Sequence, residues 1–310
     1  MKSILTRLAL TLPVVWLVVS LVFLLIHLVP GDPIQQMLGD GATPTDTATL
    51  RHQYFLDLPL PQQYLRYWAG VLHGDLGNSI RLHDTVAHLI AARYPYTLAL
   101  TLTALGLGLL LALPAGILAA VNRGRWLDQL LSVVSLFGLS VPGLVLGPVL
   151  ILVFSISLGW LPVSGANSGG SASIDWRYLV LPSIAMGASL AAFLPRMVRT
   201  AMLEELSQDY IRTARAKGLS ETAVVCRHAL PNALVPIITV VGLQFGALLA
   251  GAIVTETIFS WPGLGRLTVS AISNRDYALV QGCLLSIGLT YVLVNLLTDV
   301  VYRWVNPRMR

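Results

Sequence analysis

The sequence predicts an all-α membrane protein with six transmembrane helices. A long extracytoplasmic segment follows the first, and a cytoplasmic helical excursion lies between the fourth and fifth. Three observations predict this. Of the 310 residues, 55% are hydrophobic and only 11% charged, with a mean hydropathy of +0.73. A soluble domain carries about 25% charged residues, so lipid must solvate most of this surface. Six apolar runs are each long enough to cross a hydrocarbon core of about 30 Å at about 1.5 Å per residue. Lys and Arg crowd the ends of these runs on one side.

The first run, 8–29, follows the short basic flank of Lys2 and Arg7. It exceeds the roughly 7–15-residue core of a cleaved signal peptide and has no small-residue cleavage site, so it reads as a retained helix. Pro30, Gly31 and Pro33 end it sharply. The segment that follows has too little apolar content for an independent core. Within it, Tyr64, Leu65, Trp68 and Leu72 fall on one helical face, and Val86, Leu89 and Ile90 make a second. These are expected to be short amphipathic helices over the outer mouth of the bundle. The remaining spans are placed at 96–121, 130–158, 178–198, 234–258 and 278–302. Pro114, Pro142, Pro148 and Pro182 fall inside them and should kink or break their helices. The Ser-Gly run 168–173 reads as a flexible outer loop.

Orientation follows from the basic residues. Lys2, Arg7, Arg123, Arg125, Arg196, Arg199, Arg212, Arg215, Lys217, Arg227, Arg303, Arg308 and Arg310 share one side, against Arg51, Arg66, Arg81, Arg93, Arg177, Arg266 and Arg275 on the other. The richer side is cytoplasmic, and both termini are expected there. The expected organisation is a flank and first helix at 1–30, an extracytoplasmic segment at 31–94, and a five-helix core at 95–310 containing the excursion at 203–231. The net charge of +5 sits at span ends, with no basic stripe of the kind that binds nucleic acid. Cys226 and Cys283 are too few for a disulfide framework.

The excursion is the most informative stretch. From Leu203 to Lys217 the sequence suits a helix, with Leu203, Leu206, Tyr210 and Ala214 at helical spacing. Gly218 is the expected left-handed terminator and Ser220 the N-cap of a second short helix over 221–229. Pro231 separates that helix from the fifth span. A membrane protein with otherwise short loops has no folding reason to keep such an excursion, which points to a docked soluble partner.

These residues resemble the EAA motif of ABC importer permeases: Glu-Ala-Ala, three residues, Gly, nine residues, then Ile-x-Leu-Pro. Aligned on Gly218, Ala214 stands at the second Ala, and Leu230 and Pro231 stand at the motif's distance. Arg212 replaces Glu, Thr213 the first Ala and His228 the Ile. RTARAKGLS and RHALPNAL are more closely similar to the permeases for dipeptides, oligopeptides, glutathione and nickel. So are LVPGDP, HGDLGNSI, LGWLPVSG, ETIFSWPGLGRL, NRDYALVQG and VNLLTDVVYRWVNPRMR, which together extend the resemblance along nearly the whole chain.

The resemblance implies a permease subunit of the bacterial cytoplasmic membrane that works by alternating access. It implies pairing with a second, homologous permease, two cytoplasmic ATPase subunits and an extracytoplasmic solute-binding protein. Peptides are the first expected solute, with nickel (free or chelated) and glutathione as alternatives. Asp209 to Gly218 would form the coupling helix. Asp209, Arg212, Thr213, Ala214, Arg215, Lys217, Gly218, Leu230 and Pro231 are the coupling candidates, and Arg212 in place of Glu calls for acidic groups on the ATPase. Glu256 has two readings: it lines the solute path, or it pairs with Arg266 or Arg275.

Other chemistry finds little support. The only lysines, Lys2 and Lys217, follow no GxxxxG run, so no Walker A cradle is present, and ATP with its Mg is expected on the partner ATPases. No HExxH occurs. An intramembrane hydrolase built on Ser140 lacks a histidine base deep in a later span, so Ser140 reads as a kink hydroxyl. His27, His52, His73, His83 and His88 lack a ligand spacing and are expected in surface or packing roles; no metal site is expected. Asp299 and Arg303, four apart, suit an ion pair, and Arg196 and Arg199 suit snorkelling to headgroups or anchoring the excursion.

Overall fold

A computed structural model of the chain describes residues 2–28, 34, 43–53, 55–167 and 174–305. The expected stop at Pro30, Gly31 and Pro33, the Ser-Gly run and the tail from 306 lie outside the described residues, as does the side chain of Arg303. Among the described residues every regular element is helical, and one isolated antiparallel bridge joins Asn78 to Thr85. The helices are α1 (Lys2–Leu28), α2 (Pro44–Gln53), α3 (Leu60–His73), α4 (Val86–Val121), α5 (Trp126–Ser140), α6 (Gly143–Leu150), α7 (Trp176–Leu206), α8 (Asp209–Ala216), α9 (Leu230–Ile258), α10 (Leu264–Ser273) and α11 (Tyr277–Val305). A wide-turned π segment, Ile151–Ser157, extends α6, and a second, Val224–Ala229, leads into α9.

Among the described residues, four stretches are long and apolar enough to cross a membrane: α4, α7, the continuous helix Glu221–Ile258, and Tyr277–Tyr302. The pair α5–α6 makes a fifth if counted as one span, although it is bent by 93°. The sequence expects six, and the difference falls on α1, whose qualifying apolar stretch is the shorter Ala9–Leu25. The bend lies where Pro142 predicts a break. Val141 before it is extended (φ −88°, ψ 113°), because a proline ring disfavours helical backbone in the preceding residue. Pro114, Pro148 and Pro182 stay inside continuous helices. Ser140 Oγ donates back to Leu136 O at 3.0 Å, as a kink hydroxyl does.

The chain divides into two compact units. The first comprises Met1–Tyr96 and Pro262–Val292, the second Thr97–Trp261 and Leu293–Arg310.

In the first unit, α3 lies against α1. Tyr64 Oη shares a 2.7 Å hydrogen bond with Ser20 Oγ, His27 Nε2 meets Gln63 Oε1 at 3.1 Å, and the Phe23 ring packs on Tyr64 and Tyr67. The packed stripe of α3 is therefore Tyr64, Tyr67, Trp68 and Val71, clustered with Val19, Val22 and Leu285. This corrects the expected face: Leu65 and Leu72 are exposed. Ring area and hydroxyl pairing set the rotation of α3, and both are supplied by α1. Val86 and Ile90 form the buried head of α4, packing with Leu264, Ala271, Leu279 and Cys283. Ser79 Oγ donates to buried Asp276 Oδ2, whose Oδ1 accepts from Leu279 N, so HGDLGNSI is tied to the start of α11.

In the second unit, α7 is the most enclosed helix, with Leu181, Leu190, Leu194, Val198 and Met202 buried. Small residues let neighbouring backbones approach it. A Cβ on Gly187 would lie 2.7 Å from the Ala104 carbonyl oxygen, and one on Gly116 2.7 Å from that of Pro195. Thr103 Oγ1 and Ser183 Oγ bond across the contact at 2.7 Å. Arg199 of α7 grips Asp128 of α5 with both prongs: Nε to Oδ1 at 2.6 Å and Nη2 to Oδ2 at 2.8 Å. Gly124 N adds a third bond to Oδ2 at 2.9 Å. Arg199 is thus held by a carboxylate, where the sequence had it snorkelling or anchoring the excursion.

Candidate functional site

The excursion between α7 and α9 is built by local signals. Ser207 Oγ donates to Glu204 O at 2.7 Å and Gln208 turns extended (φ −72°, ψ 152°), which stops α7 at Leu206. The single helix expected from Leu203 to Lys217 is therefore two, because these residues give the backbone an alternative to continuing. α8 then runs from Asp209 to Ala216. Gly218 takes φ +80°, the left-handed conformation that glycine adopts without a Cβ penalty, and reverses the chain. Ser220 caps the next turn, its Oγ accepting from Ala223 N at 3.4 Å. Both features are as the sequence predicts. The helix over 221–229 is α only as far as Ala223 and then opens into the π segment.

One face of α8 is buried through Ile211 and Ala214, and Val224, Val225 and Ala229 of the returning limb are buried as well. The other face carries Asp209, Arg212 and Thr213, all exposed, and Lys217 follows it, also exposed. The Arg212 side chain is 76% exposed, with a loose 3.5 Å contact to Asp209 Oδ1, and Thr213 Oγ1 donates to Asp209 O. Arg215 is placed differently. It clamps Glu221 across the Gly218 turn, Nε to Oε1 at 2.7 Å and Nη2 to Oε2 at 3.2 Å, and the carboxylate raises the guanidinium pKa above its ordinary value. Leu230 is half-buried and Pro231 exposed where the π segment runs on into α9, so Pro231 does not separate the short helix from the fifth span as expected: the helix is continuous from Glu221 to Ile258.

Tyr210 closes the base of the excursion. Its hydroxyl donates to Glu205 Oε2 at the end of α7 and accepts from Asn232 Nδ2, in the first turn of α9, at 2.9 Å. Asn232 Nδ2 also reaches His228 O at 3.3 Å. Sequence reasoning placed Tyr210 on a helical stripe and passed over Glu205 and Asn232. A polar residue just inside each end of a loop is the signal that could have found them.

Glu256, near the end of α9, is fully buried, and Thr97 Oγ1 of α4 donates to its Oε1 at 2.6 Å. Trp261, also fully buried, donates its backbone N–H to Glu256 O. Among the histidines, His52 pairs with Asp57 and His88 with Asp84, while His73 Nδ1 meets Ala69 O. Both cysteines are free thiols, Cys226 exposed and Cys283 buried.

Apolar helices long enough to cross a membrane, with a polar elbow between α7 and α9, fit a membrane transport subunit. Residues 112–310 match the family described as the binding-protein-dependent transport system inner membrane component, and residues 1–101 match its N-terminal companion. The chain belongs to that family, and it is a permease subunit of an ABC importer, a class that works with ATPase and solute-binding partners. Its relatives include the glutathione transport system permease protein GsiC of Escherichia coli (strain K12), 43% identical over 310 residues, covering 100% of this chain and 99% of that protein. GsiC of Salmonella paratyphi A is 44% identical with the same coverage. Among solved structures, inward-facing MetNI methionine ABC transporter matches with a TM-score of 0.59 at 21% identity, over 70% of this chain and 96% of that one. An amino acid ABC transporter crystallised with histidines matches at 0.51 and 17%, over 71% and 94%. These two bear on the fold.

Proposed function

We propose that this chain is one of two permeases in an importer of short peptides, with glutathione, itself a tripeptide, as the first candidate solute. The supporting observation is the likeness, along the full length, to permeases named for glutathione transport. The six-span reading takes α1 as the first crossing and α5–α6 as one broken span. Both termini and the 203–231 excursion then lie in the cytoplasm, and 31–94 lies outside.

In this reading α8 is the coupling helix. Its buried face, Ile211 and Ala214, seats it on the returning limb, and its exposed face meets the ATPase. Arg212 and Lys217 are the docking cations, with Asp209 and Thr213 beside them. Gly218, Leu230 and Pro231 set the angle at which α8 is held, and Arg215 holds the turn closed through Glu221. ATP and Mg belong to the partner subunits. Closure of the ATPase pair moves α8, and the spans attached to it rock from outward-open to inward-open.

The test is reconstitution. The chain, co-expressed with its second permease and ATPases, should retain both ATPase subunits through purification. In proteoliposomes with the binding protein outside, it should accumulate labelled glutathione. Accumulation of a dipeptide or Ni(II) complex in its place would overturn the solute assignment, and purification free of any ATPase would overturn the coupling assignment. Thiol labelling of single cysteines placed in α8 and in α3 reports sidedness, with α8 expected to react only from the cytoplasm.

A further inference from the structure

We infer that Tyr210, Glu205 and Asn232 form a positioning relay that locks the coupling helix to both membrane helices at once, so that displacement of α8 is delivered to α7 and α9 together. The inference rests on the coupling reading of α8. Three observations carry it. The Tyr210 hydroxyl is the shared atom of two hydrogen bonds, donated to Glu205 on one limb and accepted from Asn232 on the other. Tyr210 and Asn232 are 22 residues apart in sequence, so their bond closes the whole excursion rather than a local turn. Finally, the helical hydrogen-bond ladder does not run on from α7 into α8, because the backbone turns extended at Gln208 between them.

The chemistry is suited to the task. A phenol hydroxyl donates one proton and accepts through its lone pairs, so one atom can serve both limbs. Its ring adds a stiff lever with two torsions, unlike a long aliphatic chain. The acceptor on α7 is a carboxylate, and hydrogen bonds to ionised groups are the stronger kind. Asn232 is fixed in turn, because its amide also reaches the His228 carbonyl. At the far end of the excursion, the Arg215–Glu221 pair closes the Gly218 turn independently. Base and tip are thus each fastened by side chains. Of the two fastenings, it is the base that ties α8 to the ends of both α7 and α9.

The experiment compares solute imported per ATP hydrolysed in reconstituted complexes carrying Tyr210→Phe, Asn232→Ala or Glu205→Gln. Tyr210→Phe removes one oxygen and keeps the ring. It should co-purify with the ATPases at the parent's yield, yet import less solute per ATP by about fivefold or more, since it breaks two bonds and one net hydrogen bond is worth about that factor. Asn232→Ala should do the same, and the double variant should be no worse than either single, since each opens the same joint. Glu205→Gln retains an acceptor oxygen and should stay near the parent ratio. An unchanged ratio in Tyr210→Phe overturns the relay, as does a loss confined to yield and melting temperature with the ratio intact. Should Tyr210→Phe fail to assemble, Asn232→Ala is read by the same criteria. If the parent complex itself holds no ATPase, it is the coupling assignment that fails, before the relay is reached.

Discussion

Asp128 and Arg199 are joined by a two-pronged ion pair that fastens the head of α5 to α7. The Asp128 side chain is 7% exposed and that of Arg199 29%, so water offers little compensation to whichever partner is left alone. Removing one member of such a pair costs about 3 kcal/mol. Asp128→Ala should therefore lower the melting temperature of the purified complex markedly. Asp128→Leu combined with Arg199→Met should recover much of the loss, because no charge is left stranded. Equal melting of Asp128→Ala and the parent would show that the pair holds nothing.

Gly187 and Gly106 make a paired test of the α4–α7 contact. A methyl on Gly187 would meet the Ala104 backbone oxygen at 2.7 Å, whereas one on Gly106 meets nothing within 4 Å. Gly187→Ala should cost about 1–3 kcal/mol by forcing the helices apart. Gly106→Ala should be neutral or slightly stabilising through helix propensity. Thermal melting of the two variants side by side reads the difference, and matching losses would contradict the packing.

Gly218 has open space around its Cβ position, so its requirement is conformational and not steric. At φ +80° a β-branched side chain is strained by about 1–2 kcal/mol. Gly218→Val should reduce solute uptake while leaving membrane insertion intact. Gly218→Asn should retain more uptake, since asparagine tolerates the left-handed region. Uptake by Gly218→Val equal to the parent would count strongly against the coupling role of α8.

The cations of the excursion should separate by function. Arg212→Glu and Lys217→Glu should weaken ATPase retention, and the deficit should depend on salt, because exposed charges are screened over about 10 Å at 0.1 M. Arg215→Gln should instead raise hydrogen exchange at the Gly218 turn, since it releases Glu221. If all three lost ATPase retention alike and none loosened the turn, the division of labour would be wrong.

Glu256 offers a stability readout. Glu256→Ala removes the buried carboxylate to which Thr97 Oγ1 donates, which costs about 1–3 kcal/mol, and should lower the melting temperature. A shifted uptake KM with unchanged melting would assign Glu256 to the solute path instead.

The punctuation of the chain was legible because it is written in single residues. Gly218, Ser220 and Pro142 each act through their own backbone preferences, and each falls where the sequence puts it. The angle at Pro142 was not legible, since the flanking helices set how far a break opens. Nor was the rotation of α3, which depends on hydroxyl and ring partners presented by α1. Asp128 and Arg199 lie 71 residues apart, and only the crossing of α5 and α7 makes them neighbours. An acid just before one apolar run and an arginine just after another were nevertheless a usable hint. In the excursion the composition disclosed an exposed basic stretch, while the assignment of Arg215 to an internal clamp required geometry.

The side-chain fastenings described for the elbow lie inside 204–232, which makes it a candidate for exchange as one cassette. On the coupling reading of α8, transplanting it whole into a sister permease should carry the choice of motor with it. Exchange of α8 alone would bring the charges without the hinge that aims them.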